Sequence, residues 1–128
     1  MENKDKQQDL EFEIKFYENI LKNKPNFLEA LVALGDAYTK NKQYKEGLKI
    51  DQKLSKLKPS DPIVFYNLTC SYSLTENIDS ALETLQKAIR LGYNDFDYME
   101  KDPDLENLRK NKRYQMFIAK TFQSKNYK

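Results

Sequence analysis

The feature that most constrains this chain is a recurrence. Leu31, Leu34 and Tyr38 return as Phe65, Leu68 and Tyr72, each displaced by 34 residues. The same displacement carries Leu48 to Leu82, Leu54 to Ala88, Leu57 to Leu91 and Pro25 to Pro59. A period of this length belongs to a two-helix unit that cannot bury its apolar face alone and must stack on a neighbour. Spacing inside the units agrees: Leu31, Leu34 and Tyr38 share one helical face, and Leu48, Leu54 and Leu57 roughly share another. Asn26 and Ser60 or Asp61 are placed to cap helix starts, Pro62 suits a first helical turn, and Lys56 and Lys58 stand near a carbonyl-rich helix end. Asn41 and Asn77 fall in the turns between paired helices, where a polar residue that tolerates positive φ is expected.

Leu31-x-x-Leu34-Gly35-x-x-Tyr38 resembles the first-helix signature of the tetratricopeptide repeat family, with Leu31 where tryptophan is common and Gly35 where two helices approach closely. Phe65-x-x-Leu68-Thr69-x-x-Tyr72 repeats it with Thr69 in place of glycine, and Ala81-x-x-x-Leu85-x-x-Ala88 is similar to the family's second-helix pattern. Unit one departs in its second helix: Gly47 replaces a small alanine, Asp51 stands where an aromatic is usual, and Leu54 takes the last alanine position. Tyr93 stands where Pro59 would lead one to expect proline.

The resemblance implies an all-α fold, an α–α superhelix of stacked antiparallel helix pairs with capping helices. The expected layout is a polar tail over 1–9, then one domain over 10–122 and a tail over 123–128. Within the domain, residues 10–25 form a half-repeat or capping helix carrying the stripe Leu10, Ile14, Tyr17 and Leu21, followed by units at 28–61 and 62–95. Residues 96–122 close the stack. There Asp102-Pro103-Asp104-Leu105 marks a helix start, and the stretch resembles a tail found in many bacterial tetratricopeptide proteins.

Composition narrows the function. The chain has no histidine, which removes the commonest general base and a common metal ligand. Gly35, Gly47 and Gly92 are too scattered for a phosphate-cradling loop. Cys70, the only cysteine, rules out an internal disulfide and has no basic neighbour in the local sequence to activate it. Asp102 and Asp104 flank Pro103 as capping groups, so no metal, cofactor or catalytic residue is assigned. A formal charge of +2 gives no overall pull toward nucleic acid or acidic membranes. No stretch approaches the roughly 18 apolar residues of a membrane span, and the cytoplasm is the expected location.

The resemblance implies a protein-interaction module that holds a peptide or helix of another protein, the alternative being self-assembly into a homo-oligomer through the terminal helices. In the family the first helices of the units line a concave groove. Carried onto this sequence, Glu29, Val32, Asp36 and Thr39 from unit one and Ile63, Tyr66, Asn67, Cys70 and Ser73 from unit two line it. Val32, Asp36, Tyr66, Asn67, Cys70 and Ser73 are the candidate binding residues, and Tyr66 is the favoured anchor, whose truncation should weaken capture without unfolding the chain. Asn67 matches one asparagine of the family's carboxylate clamp. Val32, Asp36 and Asp97 stand where the clamp needs lysine, asparagine and lysine, leaving only Lys101 as a basic partner, so chaperone-tail binding is not expected. Two basic groups, Lys45, Lys49, Lys53 and Lys56, and Arg109, Lys110, Lys112 and Arg113, offer a surface to an acidic partner; a solvated face is the simpler reading.

Overall fold

A computed structural model describes residues 2–126, with side chains described for residues 5–122. Its helices, in order, are α1 (Glu2–Asn23), α2 (Leu28–Lys40), α3 (Tyr44–Leu57), α4 (Pro62–Leu74), α5 (Ile78–Arg90) and α6 (Phe96–Lys101). A 3-10 turn (Pro103–Leu105), α7 (Glu106–Arg109) and α8 (Lys112–Asn126) follow. The architecture is an α–α superhelix of stacked antiparallel helix pairs, in which α2 pairs with α3 and α4 with α5. The polar tail expected over 1–9 is helical from Glu2 onward, and α8 runs past residue 122 to Asn126. Residues 1, 127 and 128 of the expected tails lie outside the described residues.

The apolar stripes are buried pairwise along the stack. Ile14, with Leu10, Tyr17 and Leu21, packs on Leu34, Ala37 and Tyr38, so α1 covers the first unit as a lid. Leu31, Leu54 and Val64 join the two units. The largest cluster gathers Phe65, Leu68, Ala81, Leu85 and Ala88 with Met99, Leu105, Leu108, Tyr114 and Ile118, which ties the C-terminal cap to unit two.

The two units solve the close approach of their paired helices differently. In unit one, Gly35 lies so near α3 that an added Cβ would meet Ile50 Cγ2 at 3.2 Å and Asp51 Oδ1 at 3.3 Å. The equivalent pair in unit two is Thr69 and Thr84, whose hydroxyls are 2.8 Å apart. A small residue against a large one has become two of middle size joined by a hydrogen bond, which keeps the space filled.

Helix starts and turns differ in part from the sequence expectation. Asp61 caps α4, accepting from the amides of Ile63 and Val64 with Pro62 in the first turn. Asn26 does not cap α2: Phe27 holds that place without a side-chain bond. Positive φ falls one residue beyond Asn41 and one before Asn77, on Lys42 (63°) and Glu76 (62°). Asn41 instead accepts from Gln7 of α1 and donates to Gln43. The turns close through Gln43 N to Tyr38 O and Asn77 N to Tyr72 O, both 2.8 Å, and that closure demands a left-handed residue at 42 and at 76. A side chain in that conformation costs about 1–2 kcal/mol. Lys42→Gly and Glu76→Gly are therefore each expected to raise the unfolding free energy by about 0.5–1 kcal/mol after glycine's own entropy is deducted, read as a higher denaturant midpoint at unchanged slope.

Candidate functional site

A concave cavity of about 930 Å³ opens along α2 and α4 and is closed at one end by the α5–α6 connection and the cap. Val32, Asp36, Tyr66, Asn67 and Cys70, candidates on sequence grounds, all line it, as do Glu29, Thr39 and Ile63. Their exposure divides them. Val32 is 54% and Ile63 55% exposed, and Tyr98 from α6, which the repeat register did not single out as a groove residue, adds a third exposed apolar surface at 53%.

The α4 face expected to be open is largely taken. Tyr66 is 4% exposed: its ring stacks on Tyr93 at 4.3 Å between centroids, and its hydroxyl donates to Asp102 Oδ2 at 2.6 Å. Cys70 Sγ reaches the same carboxylate oxygen at 3.6 Å. Ser73 lies outside the cavity altogether, fully buried, where its hydroxyl accepts from the Leu108 amide at 3.1 Å and its carbonyl from the Asn107 side chain at 3.0 Å. Tyr66, Cys70 and Ser73 occupy the register positions that Val32, Asp36 and Thr39 hold in unit one. In unit one that stripe faces the open cavity; in unit two the cap sits on it. Tyr66 is thus both a wall of the cavity and a contact of the cap, so its truncation is expected to lower stability as well as to alter the site.

Asp102 organises this end. Its Oδ1 accepts from the Asp104 amide at 3.0 Å, as a cap should, while Oδ2 serves Tyr66 and Cys70 and its backbone carbonyl accepts from Arg109 Nη1 at 2.6 Å. Arg109 also donates to the Met99 carbonyl at 2.9 Å. Of the second basic group, Arg109 points inward, while Lys110 pairs with Glu106 at 3.6 Å and Arg113 with Asp79 on the exposed surface. In the first group Lys53 donates to the Pro25 carbonyl at 2.7 Å.

Burial, and then the nearby Asp102 and Asp104, push the Cys70 thiol well above its usual range, so it stays protonated and a poor nucleophile at neutral pH. Cys70, Asp102 and Asp104 bring one donor atom each within 4.8 Å of one another. Two of the three are already engaged, Asp102 by three hydrogen bonds and the thiol by its proton, and we assign no metal to them.

The charged lining has one sign. Glu29, Asp36, Asp51, Asp61, Asp95, Asp102 and Asp104 face or border the cavity, and no lysine or arginine does so among the described residues. Asp51 occupies the register position of the core residue Leu85 and is 8% exposed, bonded to the Ser71 hydroxyl. Burial lifts its carboxyl to about 7, with the Ser71 bond opposing the rise and Asp36 adding to it. Asp104 is raised too, by burial and then by Asp102 and Asp36.

Two consequences are measurable. Tyr66→Phe removes the hydroxyl that serves a buried carboxylate and should lower the unfolding free energy by about 2 kcal/mol, checked by denaturant titration. For Asp51, a folded pKa above the unfolded value means the native state binds more protons, so this group's contribution falls as pH rises from about 4 to about 7 and is constant above. Asp51→Asn keeps the shape and removes the titration. Relative to that variant, the native chain should lose up to about 4 kcal/mol across the window, and parallel stability curves for the two proteins would show that Asp51 does not titrate there.

No family model matches the chain. A curated relative, a chloroplastic protein of Arabidopsis thaliana, is 36% identical over 81 residues, covering 61% of this chain and 24% of its own length. The chain thus spans about a quarter of the curated relative it matches. Among solved structures, "MamA 41-end from Desulfovibrio magneticus RS-1" superposes with a TM-score of 0.65 at 22% identity, over 91% of this chain and 68% of that one. "MamA RS-1 ArsTM double mutant" does so with a TM-score of 0.64, also at 22% identity, over 94% and 70%. At that identity the likeness is one of fold: stacked helix pairs of the same superhelical kind.

Proposed function

We propose that the chain is a tetratricopeptide repeat protein with a C-terminal capping tail, and that it works as a non-catalytic interaction module receiving a segment of another protein in the cavity between α2, α4 and the cap. The observation that carries this reading is the row of exposed apolar side chains inside a concave surface: Val32, Ile63 and Tyr98 are each more than half exposed. A rigid helical stack lowers the ordering cost on its own side, so a few such contacts suffice for useful affinity. Catalysis has little to draw on, since the sequence holds no histidine and the single thiol is held protonated.

No helix among the described residues is long and apolar enough to cross a membrane. A reducing location such as the cytoplasm suits the free, buried Cys70, while the Arabidopsis relative is by name a chloroplast protein.

Self-assembly is the second reading, and one observation favours it. The stripe Leu10, Ile14, Tyr17 and Leu21 is consumed by the lid, and Phe122 packs edge-on against Phe96. The opposite face of α1, however, carries Phe12 and Phe16, stacked on each other and 71% and 50% exposed. A photo-crosslinking amino acid at Val32 separates the readings. Adducts to a foreign protein at Val32, and none when the group is moved to Glu83, are the expected result; equal adducts at both would remove the cavity as the working surface. Adducts to a second copy of the chain would favour assembly.

A further inference from the structure

The chain has nearly balanced charge, 22 basic residues against 20 acidic, yet the cavity's charged lining is wholly negative. Segregation of this kind is a property of the surface and not of the composition. Glu29 and Asp36 lie along α2, Asp61 opens α4, and Asp95 and Asp104 stand on the cap side, with the exposed Val32, Ile63 and Tyr98 between them. Two cations reach this rim from outside the cavity: Lys40 is held by Asp36 at 2.9 Å on an exposed flank, and Lys58 lies 3.9 Å from Asp61.

We infer that the groove takes a lysine- or arginine-bearing amphipathic segment of a partner protein, its cationic heads on the acidic rim and its apolar side chains on Val32, Ile63 and Tyr98. This rests on the groove reading above and deepens it by naming the occupant's chemistry. The carboxylates already crowd one another: Asp36 raises both Asp51 and Asp104 across the cavity. An entering cation relieves that repulsion. Nucleic acid is excluded by the same sign, because its phosphates would meet carboxylates. A lone metal ion or polyamine would leave the apolar strip bare, whereas an amphipathic peptide satisfies both surfaces at once.

The test uses the full chain and three fluorescein-labelled helical peptides of leucine with lysine, glutamine or glutamate at the polar positions, titrated by fluorescence anisotropy. The lysine peptide should bind and lose affinity as salt rises. Reversing the exposed Glu29→Lys and Asp36→Lys should weaken it by at least about tenfold. A Glu46→Lys, Glu83→Lys variant, with the same change in net charge away from the cavity, should bind nearly as the native chain does; thermal melts confirm folding of each. Equal weakening by both pairs would overturn the proposal as unspecific attraction. If the glutamine or glutamate peptide binds as tightly and is lost on Val32→Ser, Ile63→Ser, the groove stands and its cationic occupant falls. Should every peptide ignore both groove pairs, the groove reading falls as well. Sedimentation showing a dimer abolished by the Glu29→Lys, Asp36→Lys pair would make the occupant a second copy and overturn the assignment to a partner.

Discussion

The paired helices of this chain carry apolar faces that none of them can hide alone. Everything else in the structure answers that constraint. The α2–α3 and α4–α5 hairpins bury stripes within a unit, Leu31, Leu54 and Val64 bury them between units, and the two ends of the stack then require covers. At the N-terminal end α1 lays Ile14 and its neighbours over α2. At the C-terminal end the short α6, the 3-10 turn, α7 and α8 fold back over α4 and α5, burying Met99, Leu105, Leu108, Tyr114 and Ile118 in one cluster.

Covering the second unit with a cap, where a third unit would otherwise continue the stack, has a chemical consequence. The stripe of α4 that would face an open groove in a longer array is polar: Tyr66, Cys70 and Ser73. A polar stripe can be buried only if every group finds a partner. The cap supplies them, with Asp102 for the tyrosine and the thiol and the backbone around Leu108 for the serine. Asp102 is itself nearly buried, and its carboxylate is tolerated because three donors point at it. Among buried side-chain polar atoms of the described residues, none lacks a hydrogen-bond partner.

The same arrangement shapes the cavity. With α4 covered at its far side, the open surface shifts toward α2, the start of α4 and the cap edge. Residues that cap helices or seal the core, among them Asp61, Asp95 and Asp102, present their remaining negative charge there. Structural duties and surface potential are thus served by the same carboxylates. The outer faces keep the balancing lysines, several of them paired or bonded to backbone.

The sequence by itself determined the repeat: local periodicity of 34 residues, the stripes, the Asp61-Pro62 and Asp102-Pro103 starts and the closeness of Gly35 to its partner helix all follow from short-range patterns that hold whatever surrounds them. It also placed Val32, Asp36, Tyr66, Asn67 and Cys70 around one cavity, because a register repeated by 34 carries positions from one unit to the next. Only the tertiary structure decided which copies of that register stay open. Val32 and Tyr66 are equivalent in sequence, yet one is solvent-exposed and the other sealed, since burial depends on what packs from outside the unit. Tyr98 joined the cavity, Ser73 left it and Arg109 turned inward for the same reason: each depends on where the cap comes to rest, a contact between segments distant in sequence that no local pattern encodes. The left-handed turns fell on Lys42 and Glu76 because closure of the hairpin, and not residue preference, selects the position.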